Sequence, residues 1–203
     1  MIAFPERELA IITPPHTASG NLHKVLCGPL WNGTRVIGPC PDRDTWDHHL
    51  SCVEAGWMHF TVALVVRHPL SRLVGLWRHW VYHQDKLEVQ TPECAFHKFV
   101  AAVAANDWHR LPYWCRFTIS DLVARQRIDK LIRFELLADD LGGLLGEPVA
   151  LPASEQHTAS WQAKYAEYDQ KMLRLAEQWA APDMERFGYD PLPPAVHDAL
   201  RAA

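Results

Sequence analysis

The sequence predicts an α/β layered fold built on a central, largely parallel sheet. Three observations carry that expectation. Short apolar, β-branched runs alternate with segments of helical periodicity, which is the pattern of strand–helix–strand units. The run 60–66, Phe-Thr-Val-Ala-Leu-Val-Val, is apolar almost throughout, as a strand covered on both faces requires. Two such runs, 9–13 and 60–66, end in residues suited to binding anions, and in parallel sheets ligands gather at the carboxyl ends of strands.

In chain order, the strand 9–13 leads to a helix over about 20–26, stopped by Gly28-Pro29. A second short strand is expected at 34–38, then a helix at 45–54 with Asp44 as its N-cap. After the strand 60–66, the stretch 70–83 is the clearest amphipathic element. Leu70, Leu73, Val74, Trp77, Trp80 and Val81 share one helical face, whereas Arg72, Gly75, Arg78, His79 and Tyr82 fall off it. A helix over 91–105 would carry Pro92 at its first position. A strand at 130–134 precedes a helix at 136–145 ended by Gly146, and the final helix, 168–179, should stop before Pro182. The segment 149–160 reads as a long loop, and no repeats are present.

A chain of 203 residues suits one domain, 1–203, with a hydrophobic core. A hydrophobic share of 48% and a charged share of 22% are those of an ordinary globular protein. The formal charge of −4 gives no reason to expect nucleic acid or an anionic membrane as partner. No run of 18 apolar residues occurs, and Met1 to Glu8 lacks the basic start and apolar stretch of a signal peptide, so a cytoplasmic location is expected. The five cysteines, at 27, 40, 52, 94 and 115, form no Cys-x-x-Cys pair and are expected to be reduced. His48-His49-x-x-Cys52 offers two imidazoles and a thiolate, but no second cluster completes a zinc-like set. Nine tryptophans give stacking surfaces or core, and none is assigned a role.

The first strand runs into Pro14-Pro15-His16-Thr17-Ala18-Ser19-Gly20-Asn21-Leu22. Hydroxyls and small residues at a helix start let backbone amides cradle a phosphate. The plain alternative is Thr17 or Ser19 acting as an N-cap. The chain has no Gly-x-x-x-x-Gly-Lys-Ser/Thr, which disfavours an ordinary ATP loop. The other apolar strand runs into Arg67-His68-Pro69-Leu70-Ser71-Arg72-Leu73-Val74. Arginine is the side chain best shaped for a phosphate, and Arg67 at the end of an apolar strand needs a partner, whether ligand or salt bridge. Two anion sites at two strand ends point to a nucleotide bearing phosphate at both ends of its sugar.

These segments resemble the two donor-binding motifs of the sulfotransferases that use 3′-phosphoadenosine 5′-phosphosulfate (PAPS). The first is similar to their Pro-Lys-Thr-Ala-Gly/Ser-Thr/Ser-Ser-Leu loop, the second to their Val-Arg-x-Pro-x-x-Arg-Leu-Val-Ser motif. Residues 129–137 resemble the family's strand-then-Glu segment, and 180–189 its C-terminal Tyr-x-x-Asp-x-x-x-Phe-Gly-Tyr ending. The resemblance spans about Ala10 to Pro191 and is closest to the carbohydrate-type branch. It implies a three-layer, P-loop-NTPase-like sulfotransferase fold with a phosphate-binding loop. The implied activity is transfer of a sulfuryl group to a hydroxyl of a glycan or small metabolite, without a metal. His16, Thr17, Ala18, Ser19, Gly20 and Asn21 would hold the 5′ end of the donor, and Arg67 with the position of Gly75 the 3′-phosphate. His16 stands where the family has lysine, and Gly75 where it has serine, which removes one hydroxyl contact. His48-His49-Leu50-Ser51 resembles the family's Gly-His-x-x-Leu/Phe stretch, so His49 is taken as the base, with His48 the immediate alternative and His16 at the leaving group. Arg72 matches a family arginine with a supporting role; Glu135 is read as structural and His59 as packed. The family's animal carbohydrate members are typically anchored in the Golgi membrane; a cytosolic form of bacterial or viral type is expected here. Two other readings stay open: a homologue that binds the 3′-phosphorylated nucleotide without turnover, and a nucleotide kinase on a similar sheet.

Overall fold

Strand pairing organises the first half of the chain. The computed structural model describes residues 1–35, 59–86, 95–107, 109, 111, 115, 117–124, 126–151 and 170–191. The expected helix at 45–54, the expected base at His48 or His49, the first residues of the expected helix 91–105, and most of the loop 149–160 lie outside them. Among the described residues the class is α/β, as the alternation of strands and helices predicts. The chain divides into two compact units, Met1–Arg67 with Asp121–Ser154, and His68–Ser120 with Glu155–Ala203. The sequence alone predicts one domain over 1–203.

The first unit holds the sheet. Its strands are β1 (Ile2–Phe4), β2 (Leu9–Ile12), β3 (Thr34–Arg35), β4 (Thr61–Val66) and β5 (Lys130–Arg133), in the order β3-β1-β2-β4-β5. β2, β4 and β5 are parallel, with Ile11 opposite Ala63 and Val65 opposite Ile132. β1 pairs antiparallel with both β2 and β3, so the sheet is mixed. The antiparallel strand β1 has no counterpart in the sequence reading, because three apolar residues before Pro5 make too short a run to register. A single 3₁₀ turn, Pro5–Arg7, joins it to β2, closed by Glu8 in the left-handed region with its amide on the Pro5 carbonyl.

Alternation along the strands sends Ile2, Phe4, Leu9, Ile11, Ala63, Val65 and Ile132 to one face. They pack with Leu22 and Leu26 of α1 (Ser19–Leu26) and with Leu141 and Leu145 of a second helix, Leu137–Leu145. Residues 62–66 of β4 are buried on both faces, which matches its unbroken apolar run. Truncating a core side chain such as Leu22, fully buried, costs about 2–5 kcal/mol by the usual cavity penalty. Gly33 is required where it stands: a Cβ there would lie 2.5 Å from the Leu26 carbonyl oxygen, which accepts the Gly33 amide at 2.8 Å. The β4–β5 pairing is clamped at its start. Asp129 donates its amide to the Val62 carbonyl and accepts the Val62 amide on Oδ2, both at 2.8 Å, while Arg127 donates to that carboxylate and to the Phe60 carbonyl.

The second unit is helical: it holds α2 (Pro69–Lys86), α3 (Phe96–Ala104), the start of α4 (Ile119–Leu122), through which the chain passes into the first unit after Ser120, and α6 (Gln170–Phe187); α5 is Leu137–Leu145 of the first unit. Its core joins Leu70, Leu73, Val74, Leu76 and Trp80 of α2 to Phe96, Phe99, Val100 and Val103 of α3 and to Met172, Leu173, Ala176 and Ala180 of α6. Trp77 and Trp80 set their rings 5.2 Å and 5.4 Å from Phe96 and Phe99. The periodicity of α2 is legible in the sequence, but Arg72, off the expected face, is fully buried. Its Nη1 donates to the Phe117 carbonyl at 3.0 Å and its guanidinium lies 5.8 Å from the Trp179 ring, two contacts that meet the guanidinium inside the unit.

The final helix corrects the expected stop before Pro182, because α6 runs through it to Phe187. The helix forgoes one amide bond at Pro182, and contacts with α4 hold the next turn. Asp183, fully buried, accepts the amides of Ile119 and Ser120 at 2.8 and 2.6 Å, and Arg186 donates to the Ser120 carbonyl. Asp183 thereby caps α4, whose first amides have no partner within the helix. α6 ends on Gly188 at φ 69, with the Tyr189 amide on the Met184 carbonyl at 3.0 Å, a Schellman closure. No helix among the described residues is long and apolar enough to cross a membrane.

Candidate functional site

The loop between β2 and α1 departs from ordinary backbone geometry. Pro14 and Pro15 lead the chain off β2, and Thr17 folds back so that its amide and its hydroxyl both donate to the Pro14 carbonyl, at 3.3 and 2.6 Å. His16 and Ala18 sit on either side of that clasp at φ 62 and φ 66. The left-handed region costs an L-residue about 1–2 kcal/mol, so each is held there by its surroundings. Alternating hands of φ turn successive amides toward one side, which is the backbone form of an anion nest.

α1 then begins at Ser19 with Ala18 as its N-cap and no side-chain cap. The amides of Ser19, Gly20 and Asn21 fall outside the i→i−4 ladder, and the first turn has no acidic residue. The first turn therefore supplies no anion of its own to the positive end of the helix dipole. Ser19 is half-buried, Gly20 and Asn21 are exposed, and a Cβ built on Gly20 meets nothing within 4 Å. The capping alternative fails at both positions: the Thr17 hydroxyl is committed to Pro14, and Ser19 lies inside the helix.

Arg67 follows β4 and is 5% exposed. Its Nη1 donates to the His16 carbonyl at 3.1 Å, and its guanidinium lies over the Phe134 ring at 4.5 Å from the centroid. Three strand ends thus converge: the loop after β2, Arg67 after β4 and Phe134 after β5. Parallel pairing of these three strands places their carboxyl ends side by side. Phe134 falls within the 129–137 segment, but this contact is not legible in the sequence, since its partner is 67 positions away in the chain.

The other expected residues distribute as follows. His16 is half-buried and its carbonyl is the group Arg67 holds. Gly75 lies on α2 in the second unit. His48 and His49 lie outside the described residues. Glu135 is exposed in the 3₁₀ turn Phe134–Leu136, and His59, expected to be packed, is exposed with its ring edge-on to Phe60. Among the described residues no group of three His, Cys, Asp or Glu side chains is placed to hold a metal ion.

Ion pairs flank the sheet, among them Arg133–Asp140 and Arg127–Asp129. Asp140 lies well placed for Arg133, whose Nε, Nη2 and amide all donate to its carboxylate at 2.8–3.0 Å. Those bonds hold the Asp140 carboxyl below its ordinary value of 3.8 against the opposing effect of burial, the Arg133 side chain being the largest cause. The Asp129 carboxyl is lowered as well, chiefly by the Val62 amide and further by Arg127.

No family model matches the chain, and no curated protein or solved structure matches it.

Proposed function

We propose that the chain is a PAPS-dependent O-sulfotransferase of the carbohydrate type, on the three-layer, P-loop-like fold that its motifs imply. The observation that carries this reading is the hydrogen bond from Arg67 to the His16 carbonyl. It joins two segments that resemble the family's two donor motifs, at the carboxyl ends of adjacent parallel strands. An uncapped helix start with small, accessible residues supports placing a 5′-phosphate there.

In this reading the amides from Ala18 to Asn21 hold the 5′-phosphate and sulfuryl oxygens, and Arg67 the 3′-phosphate. His49, or His48 beside it, takes the proton of the acceptor hydroxyl. The acceptor oxygen bonds to sulfur as the bond from sulfur to the 5′-phosphate oxygen breaks, and adenosine 3′,5′-bisphosphate leaves. Work of this kind is mostly positioning and charge stabilisation. His16 would donate to the leaving phosphate in its protonated form. The acceptor is a hydroxyl of a glycan or small metabolite.

A second reading, donor binding without turnover, is favoured by His16 in the lysine position and by Gly75 in place of serine. Thermal unfolding with adenosine 3′,5′-bisphosphate, ATP, ADP and AMP at matched concentration tests the donor site, because a ligand of the native state raises the midpoint. The largest rise is expected with the bisphosphate. No rise, or one favouring ATP, overturns the reading. Transfer of labelled sulfuryl from PAPS to a hydroxyl panel then separates an enzyme from a binding homologue.

A further inference from the structure

We infer that Arg67 is a positioning residue for the 5′-phosphate loop, acting through the His16 carbonyl as well as on any phosphate it touches. The inference rests on the donor reading above and assigns Arg67 a task that the motif resemblance does not give it. A buried guanidinium, 5% exposed, donates to the carbonyl of a residue whose φ of 62 is unfavourable for an L side chain. The carbonyl of a left-handed residue is turned away from the direction it takes in ordinary backbone, so a donor placed there selects that conformation. Phe134 supplies the seat: its ring face lies 4.5 Å from the guanidinium carbon and fixes the plane in which the donors point. On the other side of Thr17 the clasp to Pro14 fixes the turn, and the Leu22 amide holds the Ala18 carbonyl at 3.0 Å. Arg67 is therefore a tie from β4 to the carbonyl of His16, beside the loop's own clasp at Pro14. Its loss should free the amides that face the 5′-phosphate.

Two consequences follow that a residue contacting only the 3′-phosphate would not produce. Arg67→Met, which removes the donors and keeps an apolar stem, should lower affinity for AMP, which has no 3′-phosphate, by about tenfold, the size of one charged hydrogen bond. It should also speed amide hydrogen exchange in residues 16–22 of the nucleotide-free full chain, while exchange in β1 and β2 stays as in the wild type. Arg67→Lys should restore part of both. Phe134→Leu, which leaves Arg67 in place and loosens only its seat, should give a smaller loss of the same pattern and serves if Arg67→Met does not fold. Unchanged AMP affinity with a loss confined to adenosine 3′-monophosphate and the bisphosphate would overturn the inference, as would unchanged exchange in the loop. If the wild type binds none of these nucleotides, the donor reading falls and the claim on affinity with it. Exchange in the loop then still decides whether Arg67 holds it.

Discussion

The carboxylate of Asp183, inside α6, receives the amide of Ile119 at 2.8 Å across 64 positions of chain. A one-turn helix, α4, thus begins on a cap supplied by the very turn that a proline was expected to abolish. The second oxygen serves Ser120, so both acceptors of a fully buried carboxylate are engaged.

Asp183→Ala should destabilise the protein by about 1–3 kcal/mol, since it leaves two amide donors without an acceptor in a buried setting. Asp183→Asn keeps one acceptor oxygen and should cost less. Denaturant unfolding monitored by tryptophan fluorescence reads both. Equal stability of Asp183→Ala and wild type would mean that water replaces the cap.

The loop should respond in opposite senses to glycine and alanine. Ala18→Gly removes the Cβ from a left-handed position and should be neutral or stabilising by up to about 1 kcal/mol, the conformational relief being partly offset by greater unfolded-state freedom. Gly20→Ala puts a methyl into open space within α1 and should stabilise by about 0.5–1 kcal/mol. That methyl stands beside the amides proposed to hold phosphate, so the same change should weaken bisphosphate binding. A tighter fold with unchanged nucleotide affinity would place the phosphate elsewhere.

Acid should weaken the sheet edge through two carboxylates. Both Asp129 and Asp140 have native values below the ordinary 3.8, so the stability they add is complete above that value and is lost as pH falls through the lowered native values. The unfolding midpoint of the wild type should therefore drop more steeply below pH of about 4 than that of the Asp129→Asn, Asp140→Asn double variant. Parallel curves would show that these contacts persist in the unfolded ensemble or are screened away.

His49→Ala should abolish sulfuryl transfer and spare binding of adenosine 3′,5′-bisphosphate. Loss of binding in a folded His49→Ala protein would remove it from the role of base, and retained transfer would pass that role to His48. His16→Lys should raise turnover, more at pH 8 than at pH 6, because an imidazole sheds its charge near pH of about 6.5 whereas an ammonium does not. Equal gains at both pH values would separate the effect from charge.

The sequence made legible what repeats locally. The apolar runs of β2 and β4, the period of α2, and Gly146 closing α5 in the left-handed region each follow from neighbours within a few positions. β1 was not legible, because three apolar residues carry no period. Burial of Arg72 was not either, because its acceptor on Phe117 is 45 positions away. The same holds at the candidate site. The anion-binding character of 14–21 is written in its residue types, but the left-handed φ at Ala18 belongs to a residue that sequence rules would not place there, and that at His16 is uncommon for any L-residue. The Phe134 seat beneath Arg67 exists only after three strands are aligned.

Each compact unit is assembled from two stretches of chain, and the polypeptide passes from one to the other at 67/68, 120/121 and 154/155. A ribosome that has released residue 120 has completed neither. β5, the strand that brings Phe134 under Arg67, is synthesised only after the first helices of the other unit. No single cut of the gene therefore yields either unit whole. A split-protein reporter or a minimal-domain expression clone would have to rejoin 1–67 to 121–154 by an engineered linker.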